Sequence, residues 1–353
     1  MPTPFLANGL PLLIGSLPVT DYRKAADLVW QYTPEIPLWV QLPSLPGETI
    51  TAQFAAGLPG LTEIDGRSAV DPDDADALLA FYEETLAIED GSRELETSRF
   101  AMDRRAAGGF FELTAQVAGR SAPPQALKGQ IIGPVTFGTH YTDLQGKAIF
   151  YAPALRDALV KLLAWRARWQ VRRLAACGRP VLLFIDDPAL TAFGSSLHIG
   201  MTREDICRSL GEIIAAIHLE KGLAGIHVCA NTDWTLILDS AADILSFDAY
   251  SYCEQLLLYR DAVRRFLDRG GIIAWGLVPT LDPADIERET AATLRQRWRA
   301  VCAAVEGIGI GRERLIDQSL ITPACGMGAL SERHAVRALG LTRDLSDLIR
   351  SEQ

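Results

Sequence analysis

Eight short apolar runs, most of them followed by a longer stretch with helical spacing, constrain this chain more than any other feature. The runs are residues 11–16, 37–42, 127–133, 181–186, 224–229, 243–248, 271–277 and 315–321. Most are almost continuously apolar, as strands buried on both faces are, instead of alternating as half-exposed strands do. Between them, residues 152–176, 203–220, 252–269 and 284–305 carry helical patterns. Asp282 starts the last of these, with Pro283 at the first helical position, where its missing N–H costs nothing.

Strands alternating with helices imply a parallel sheet with right-handed crossovers. Eight such strands favour a closed barrel over an open doubly wound sheet. The expected fold class is therefore α/β, a single (β/α)8 TIM barrel, and 353 residues suit one such domain over 1–353. Residues 43–126 are too long for one crossover, so extra helices are expected between strands 2 and 3, at 74–88 and 94–107, with an extra strand at 110–114. No linker, internal repeat or low-complexity tract interrupts the chain.

Composition narrows the function classes. Hydrophobic residues make up 48% and charged residues 22%, which supplies a large core and argues against disorder. The formal net charge of −10 is wrong for nucleic acid or an acidic membrane surface, both of which want a basic patch. No run approaches the roughly 18 apolar residues of a membrane helix, and the N-terminal residues lack the basic and apolar regions of a signal peptide. Cys177, Cys207, Cys229, Cys253, Cys302 and Cys325 are scattered through a long chain, unlike a disulfide framework. A cytoplasmic protein with free thiols is expected.

Polar residues gather at the ends of the runs. Ser16, Asp186, Asp187, His227, Cys229, Asp248 and Cys325 all stand at or just past their C-terminal ends. That is the rim on which (β/α)8 enzymes build active sites. His227 and Cys229 lie two apart in a strand and so project to one face; Cys325 closes a distant run. One imidazole and two thiolates suit zinc with a position left open. Taken singly, His227 and Cys229 would more commonly be a core histidine and a small buried hydrophobe. Cys177, Cys207 and Cys302 fall in helical patterns and read as core, whereas Cys253 and Glu254 lie close enough to Asp248 to replace it as a ligand.

Asp186 or Asp187 is suited to pair with a substrate ammonium, or to cap a helix that Pro188 begins. Ser16 and the N–H groups near Gly15 suit a carboxylate, or a tight turn. Glu48 is a second candidate contact for an amine. His140 and His198 read as loop histidines, His140 near the mouth. Trp234, Trp275, Tyr250 and Tyr252 offer flat faces to a corrin or pterin, or simply pack.

In their order along the chain these motifs resemble a known family. Ile14-Gly15-Ser16-Leu17-Pro18-Val19-Thr20 is similar to Ile-Gly-Ser-Phe-Pro-x-Thr, and Lys128-Gly129-Gln130-Ile131-Ile132-Gly133-Pro134-Val135-Thr136 to Lys-Gly-x-x-x-Gly-Pro-Val-Thr. Ile185-Asp186-Asp187-Pro188-Ala189-Leu190 resembles Ile-Asp-Glu-Pro-Ala-Leu, and His227-Val228-Cys229 and Pro323-Ala324-Cys325-Gly326 resemble paired zinc-ligand motifs. Together they resemble the catalytic, C-terminal barrel of cobalamin-independent methionine synthase, within the superfamily that includes uroporphyrinogen decarboxylase.

The resemblance implies a zinc ion held by His227, Cys229 and Cys325, with Asp248 where the family has a glutamate. It implies homocysteine as the thiol acceptor, bound through Gly15, Ser16, Glu48, Asp186 and Asp187, the last two where the family has an aspartate–glutamate pair. The family's second barrel, which helps bind polyglutamylated methyl-tetrahydrofolate, has no counterpart here. That favours the short single-domain form, with methylcobalamin or a corrinoid protein as methyl donor. Methyl-tetrahydrofolate as donor and coenzyme M as acceptor are the alternatives, beside a metal-free porphyrinogen decarboxylase and a non-catalytic corrinoid- or zinc-binding module. The chemistry is coherent: a coordinated thiol is deprotonated by zinc, and only the thiolate attacks a methyl carbon well.

Overall fold

The structure, a computed structural model, describes residues 5–64, 66–195 and 199–352; His198 lies outside them. Among the described residues the strands are β1 (Leu10–Pro11), β2 (Leu61–Ile64), β3 (Arg67–Val70), β4 (Leu127–Ile132), β5 (Val181–Asp186), β6 (Leu223–Val228), β7 (Ile244–Phe247), β8 (Ile272–Val278) and β9 (Ser319–Pro323). Seven form a curled parallel sheet in the order β1-β9-β8-β7-β6-β5-β4, and β2 and β3 pair as a separate antiparallel hairpin. Because neighbouring strands from β4 to β9 run parallel, each connection must cross back, and helical segments do so. Pro153–Ala175 links β4 to β5, Arg203–Leu219 links β5 to β6, and Ala249–Leu257 with Arg260–Asp268 links β7 to β8.

The segment 37–42 touches both edges of this sheet. Leu38 bridges Lys128 of β4 and Gln41 bridges Ser16, each as a single parallel pair. The Lys128 N–H donates to the Pro37 carbonyl at 3.0 Å, and the Gln41 N–H to the Gly15 carbonyl at 3.1 Å.

Strand periodicity then decides what faces where. In β5, Leu183 and Ile185 pack into the larger core under the helices, whereas Leu182 and Phe184 join a smaller cluster with Leu10, Leu12, Ile244, Ile272 and Leu320. That second cluster fills the helix-free face of the sheet. The same parity carries Asp186 in β5, His227 in β6, Ser246 in β7 and Thr322 in β9 onto this inner face. Along β5, β6 and β7 the inner positions run from apolar to polar: Leu182, Phe184, Asp186; Leu223, Gly225, His227; Ile244, Ser246, then Asp248. The sheet is thus plugged at one end and chemically equipped at the other.

Several local expectations are corrected. Residues 110–114 belong to the helix Gly108–Ala118, which buries Phe110 and Leu113. Gly109 lets it approach the segment 37–42 closely, since a Cβ there would lie 2.1 Å from the Val40 carbonyl oxygen. Residues 94–107 form no long helix, only the 3-10 turn Leu95–Thr97; the Asp103 carboxylate accepts from the N–H groups of Arg105 and Ala106 and holds a turn there. The last strand begins at Ser319, because Leu315 and Ile316 are buried in the short helix Arg312–Asp317. Residues 284–305 divide into Pro283–Arg288 and Ala291–Glu306, the second started by a capping box between Thr290 and Thr293. Residues 74–88 are helical as expected, capped by Asp74. No helix among the described residues is long and apolar enough to cross a membrane.

Candidate metal centre

At the polar end of the inner face, one ligand atom from each of His227, Cys229 and Cys325 lies within 4.8 Å of the others. His227 is buried near the end of β6, Cys229 follows that strand, and Cys325 stands two residues beyond β9. A tetrahedral zinc ion, with bonds of about 2.0–2.3 Å, would hold such atoms roughly 3.3–3.8 Å apart, so a small contraction suffices. The imidazole is oriented for this. Ser246 lies opposite His227 in the β6–β7 register, and its Oγ is 2.9 Å from His227 Nδ1. With Nδ1–H donating to Ser246, the Nε2 lone pair is free, and Nε2 is buried without a partner. An orphaned imidazole nitrogen beside two sulfurs fits zinc.

The sulfurs differ. The neighbouring Cys229 thiol, with support from His227, holds the Cys325 thiol below the ordinary cysteine range against the effect of burial. The proximity of Cys325, together with burial, drives Cys229 up. A metal ion would displace any proton still on either thiol. The Cys325 N–H is tied to Thr280 Oγ1 at 3.0 Å.

Asp248 does not join the three-residue group. Its side chain caps the helix Ala249–Leu257, accepting from the Ser251 N–H at 2.9 Å. Burial raises its pKa, and the Cys325 charge adds to that rise. Cys253 and Glu254 line a different cavity, with Tyr250 and Arg297.

A cavity of about 360 Å³ opens over the donor atoms. It is lined by Asp186, His227, Cys229 and Cys325 on one side and by Gly15, Ser16, Gln41 and Glu48 on the other. Asp186 has one carboxylate oxygen buried without a hydrogen bond; burial pushes its carboxyl up to about 6, with Lys128 and His227 opposing. Asp187 turns away. Its carboxylate accepts from the N–H groups of Val135 and Thr136 at 3.0 and 2.8 Å and from the Thr136 hydroxyl at 2.5 Å. It thereby caps the helix Pro134–His140. Gly133 makes room for it: a Cβ there would sit 2.2 Å from Asp187.

Glu48 accepts from the Leu42 N–H at 2.8 Å and from the Tyr22 hydroxyl, and burial raises its pKa. Ser16 Oγ accepts from the Gly328 N–H at 3.1 Å, and the Ser16 carbonyl accepts from the Met327 N–H at 3.0 Å. Gly326 faces that hydroxyl so closely that a Cβ would lie 2.4 Å from it.

Other candidates fall elsewhere. His140 is exposed at the end of its helix. Trp234 and Trp275 are fully buried and pack edge-on against Phe247, and Tyr250 donates to Glu289 at 2.9 Å. None of the four lines this cavity.

Two residues escaped the sequence reading of the site. Ser246 orients the imidazole, and Lys128 lies fully buried on the inner face beside Gln130. A signal existed for both: a polar residue alternating at period two inside an otherwise apolar run.

No family model matches the sequence, and no curated protein matches it. Among solved structures, the chain is similar to a B12-independent methionine synthase from Shewanella sp. W3-18-1 in complex with selenomethionine, with 19% identity over 69% of this chain and 67% of that one and a TM-score of 0.48.

Proposed function

We propose that this chain is a zinc-dependent S-methyltransferase that converts homocysteine to methionine, built as one closed (β/α)8 barrel with extra helices between its second and third strands. The closed form is supported by the bridges that the segment 37–42 makes to both sheet edges. The observation that carries the function is the convergence of the His227, Cys229 and Cys325 donor atoms beneath a cavity that also presents Asp186 and Glu48. When bound, zinc supplies the charge that holds an acceptor thiol as its thiolate at neutral pH.

The chain's own residues do the rest. Asp186 offers its unpartnered oxygen to an ammonium group, and Glu48 faces the same space. Gly15 and Ser16 receive the carboxylate. Asp187 positions the helix Pro134–His140 instead of touching substrate. Asp248 is the carboxylate proposed to complete the zinc shell. The acceptor's orientation sets up an in-line displacement whose barrier falls chiefly through positioning.

An amino-acid acceptor is favoured over a sulfonate such as coenzyme M because the cavity lining contains two carboxylic residues suited to an ammonium group, which coenzyme M lacks. The proposed donor is methylcobalamin or a corrinoid protein, from which cobalt departs without a proton. Methyl-tetrahydrofolate would need an acid beside its leaving nitrogen, and both carboxylic residues are engaged by the acceptor in this reading. A reducing cytoplasm accords with six unpaired cysteines.

Elemental analysis of the purified protein should give about one zinc per chain, and homocysteine should be methylated with methylcobalamin. Turnover with methyl-tetrahydrofolate alone would overturn the donor, and methylation of coenzyme M but not homocysteine would overturn the acceptor.

A further inference from the structure

Lys128 is a fully buried ammonium behind Ile14 of the cavity lining, and nothing in the reaction just described uses it. It stands on the inner face of β4, one register row from the plugged end, opposite Leu182. Its Nζ lies 4.7 Å above the Phe184 ring, donates to the Ile14 carbonyl at 2.5 Å and to Gln130 Oε1 at 3.3 Å. Ile14 lines the cavity and leads directly into Gly15 and Ser16. That turn is gripped from three sides. Lys128 holds the carbonyl before it, Gln41 pairs with the backbone of Gly15 and Leu17, and the 326–328 turn engages the oxygens of Ser16.

The cavity needs a cation that its lining does not supply. Its titratable members are Asp186, Glu48, the two cysteines and His227. With the two thiolates balancing the charge of a zinc ion held there, the carboxylates left facing an incoming ligand carboxylate are Asp186 and Glu48, and buried like charges repel strongly. The ammonium behind Ile14 is the charge placed to offset them. Polarising a peptide through its carbonyl also strengthens its N–H as a donor, here the Gly15 N–H.

We propose that Lys128 is a positioning residue for the carboxylate of the acceptor, aiming the Gly15–Ser16 backbone through the Ile14 carbonyl and supplying the positive charge that a carboxylate at this turn requires. The proposal rests on the amino-acid acceptor reading above and adds a residue and a charge to it.

The test uses zinc-loaded protein and three probes followed by calorimetry: L-methionine, its decarboxylated analogue 3-(methylthio)propylamine, and its deaminated analogue 4-(methylthio)butanoate. In Lys128→Met and Lys128→Gln, the dissociation constants of methionine and the butanoate should rise about tenfold or more, while that of the amine stays within about twofold. Equal weakening of all three probes would mean a structural role and would overturn the proposal. Weakening confined to methionine and the amine would also overturn it, by assigning Lys128 to Asp186 instead.

A wild-type measurement keeps the idea testable if neither variant folds. Methioninamide, which keeps the carbonyl but not the charge, should bind about tenfold or more weaker than methionine, and equal binding would overturn the proposal. If wild-type protein binds none of these compounds, the acceptor reading itself fails, a result distinct from normal wild-type binding with an indifferent variant.

Discussion

Asp186 and Asp187 are adjacent in the chain and face opposite ways: Asp186 leaves an oxygen bare at the cavity, while Asp187 gives both of its oxygens to the first turn of the helix Pro134–His140. The two carboxylates should therefore fail differently. Asp187→Ala strands the buried Val135 N–H and the half-buried N–H and hydroxyl of Thr136, so urea unfolding should show a loss of about 2–4 kcal/mol. Asp186→Asn removes a buried charge that has no hydrogen bond on one oxygen, so stability should hold or rise. Its cost should appear in steady-state kinetics as a KM for homocysteine raised about tenfold or more. A large stability loss in Asp186→Asn with an unchanged KM would contradict this division.

The metal assignment makes a separate demand. Cys229→Ser and Cys325→Ser should each reduce bound zinc from about one per chain to near none, with far-UV circular dichroism unchanged. The fold should survive because the two apolar clusters that fill the sheet and its helices do not depend on the ion. Chelation should likewise abolish turnover while lowering Tm only by the modest amount expected from losing a native-state ligand. Retained zinc in both serine variants would exclude the site.

Ser246 acts on the ion only through His227. Its hydroxyl holds Nδ1 at 2.9 Å and so fixes the ring angle that exposes Nε2. Groups in this position typically account for about 10–100-fold in metal affinity. Ser246→Ala should weaken zinc by that order in a competition titration with a chromophoric chelator, and Ser246→Thr, which keeps the hydroxyl, should recover most of it. Equal weakening in both variants would point to packing in place of orientation.

Much of this architecture was legible because it depends on local periodicity. The apolar runs at 127–133, 181–186, 224–229 and 243–248 all contain strands, since a strand buried on both faces shows itself as a continuous apolar stretch. The grouping of His227, Cys229 and Cys325 was readable for the same reason, strand ends being where inner-face residues reach solvent. What failed depended on competition between elements. Phe110 to Thr114 is β-like in composition, yet it packs as a helix because Gly109 lets a helix sit against Val40. Leu315 and Ile316 look like the start of a strand but are buried by a short helix. The different tasks of Asp186 and Asp187 could not be separated in one dimension, since the partners of Asp187 lie about fifty residues away at Val135 and Thr136. Glu48 reaches the cavity from a loop, where no periodicity operates.

Lys128 predicts a pH dependence of stability with a definite sign. Burial lowers its pKa from 10.5 to about 8, with Asp186 opposing the shift. Between those two values the folded chain binds fewer protons at this position than the unfolded chain, so the contribution of Lys128 to stability rises with pH. Below about pH 8 the full cost of burying the ammonium is present; above about 10.5 it has been relieved. Lys128→Met has no such group, and titrations of tyrosines and cysteines common to both proteins largely cancel in the difference. Urea unfolding should therefore show wild type gaining on Lys128→Met by about 3 kcal/mol between pH 8 and 10.5. A difference that stays flat would mean that the ammonium is as well solvated in the folded chain as outside it. A difference that falls would mean that its carbonyl and amide partners stabilise the charge by more than burial penalises it.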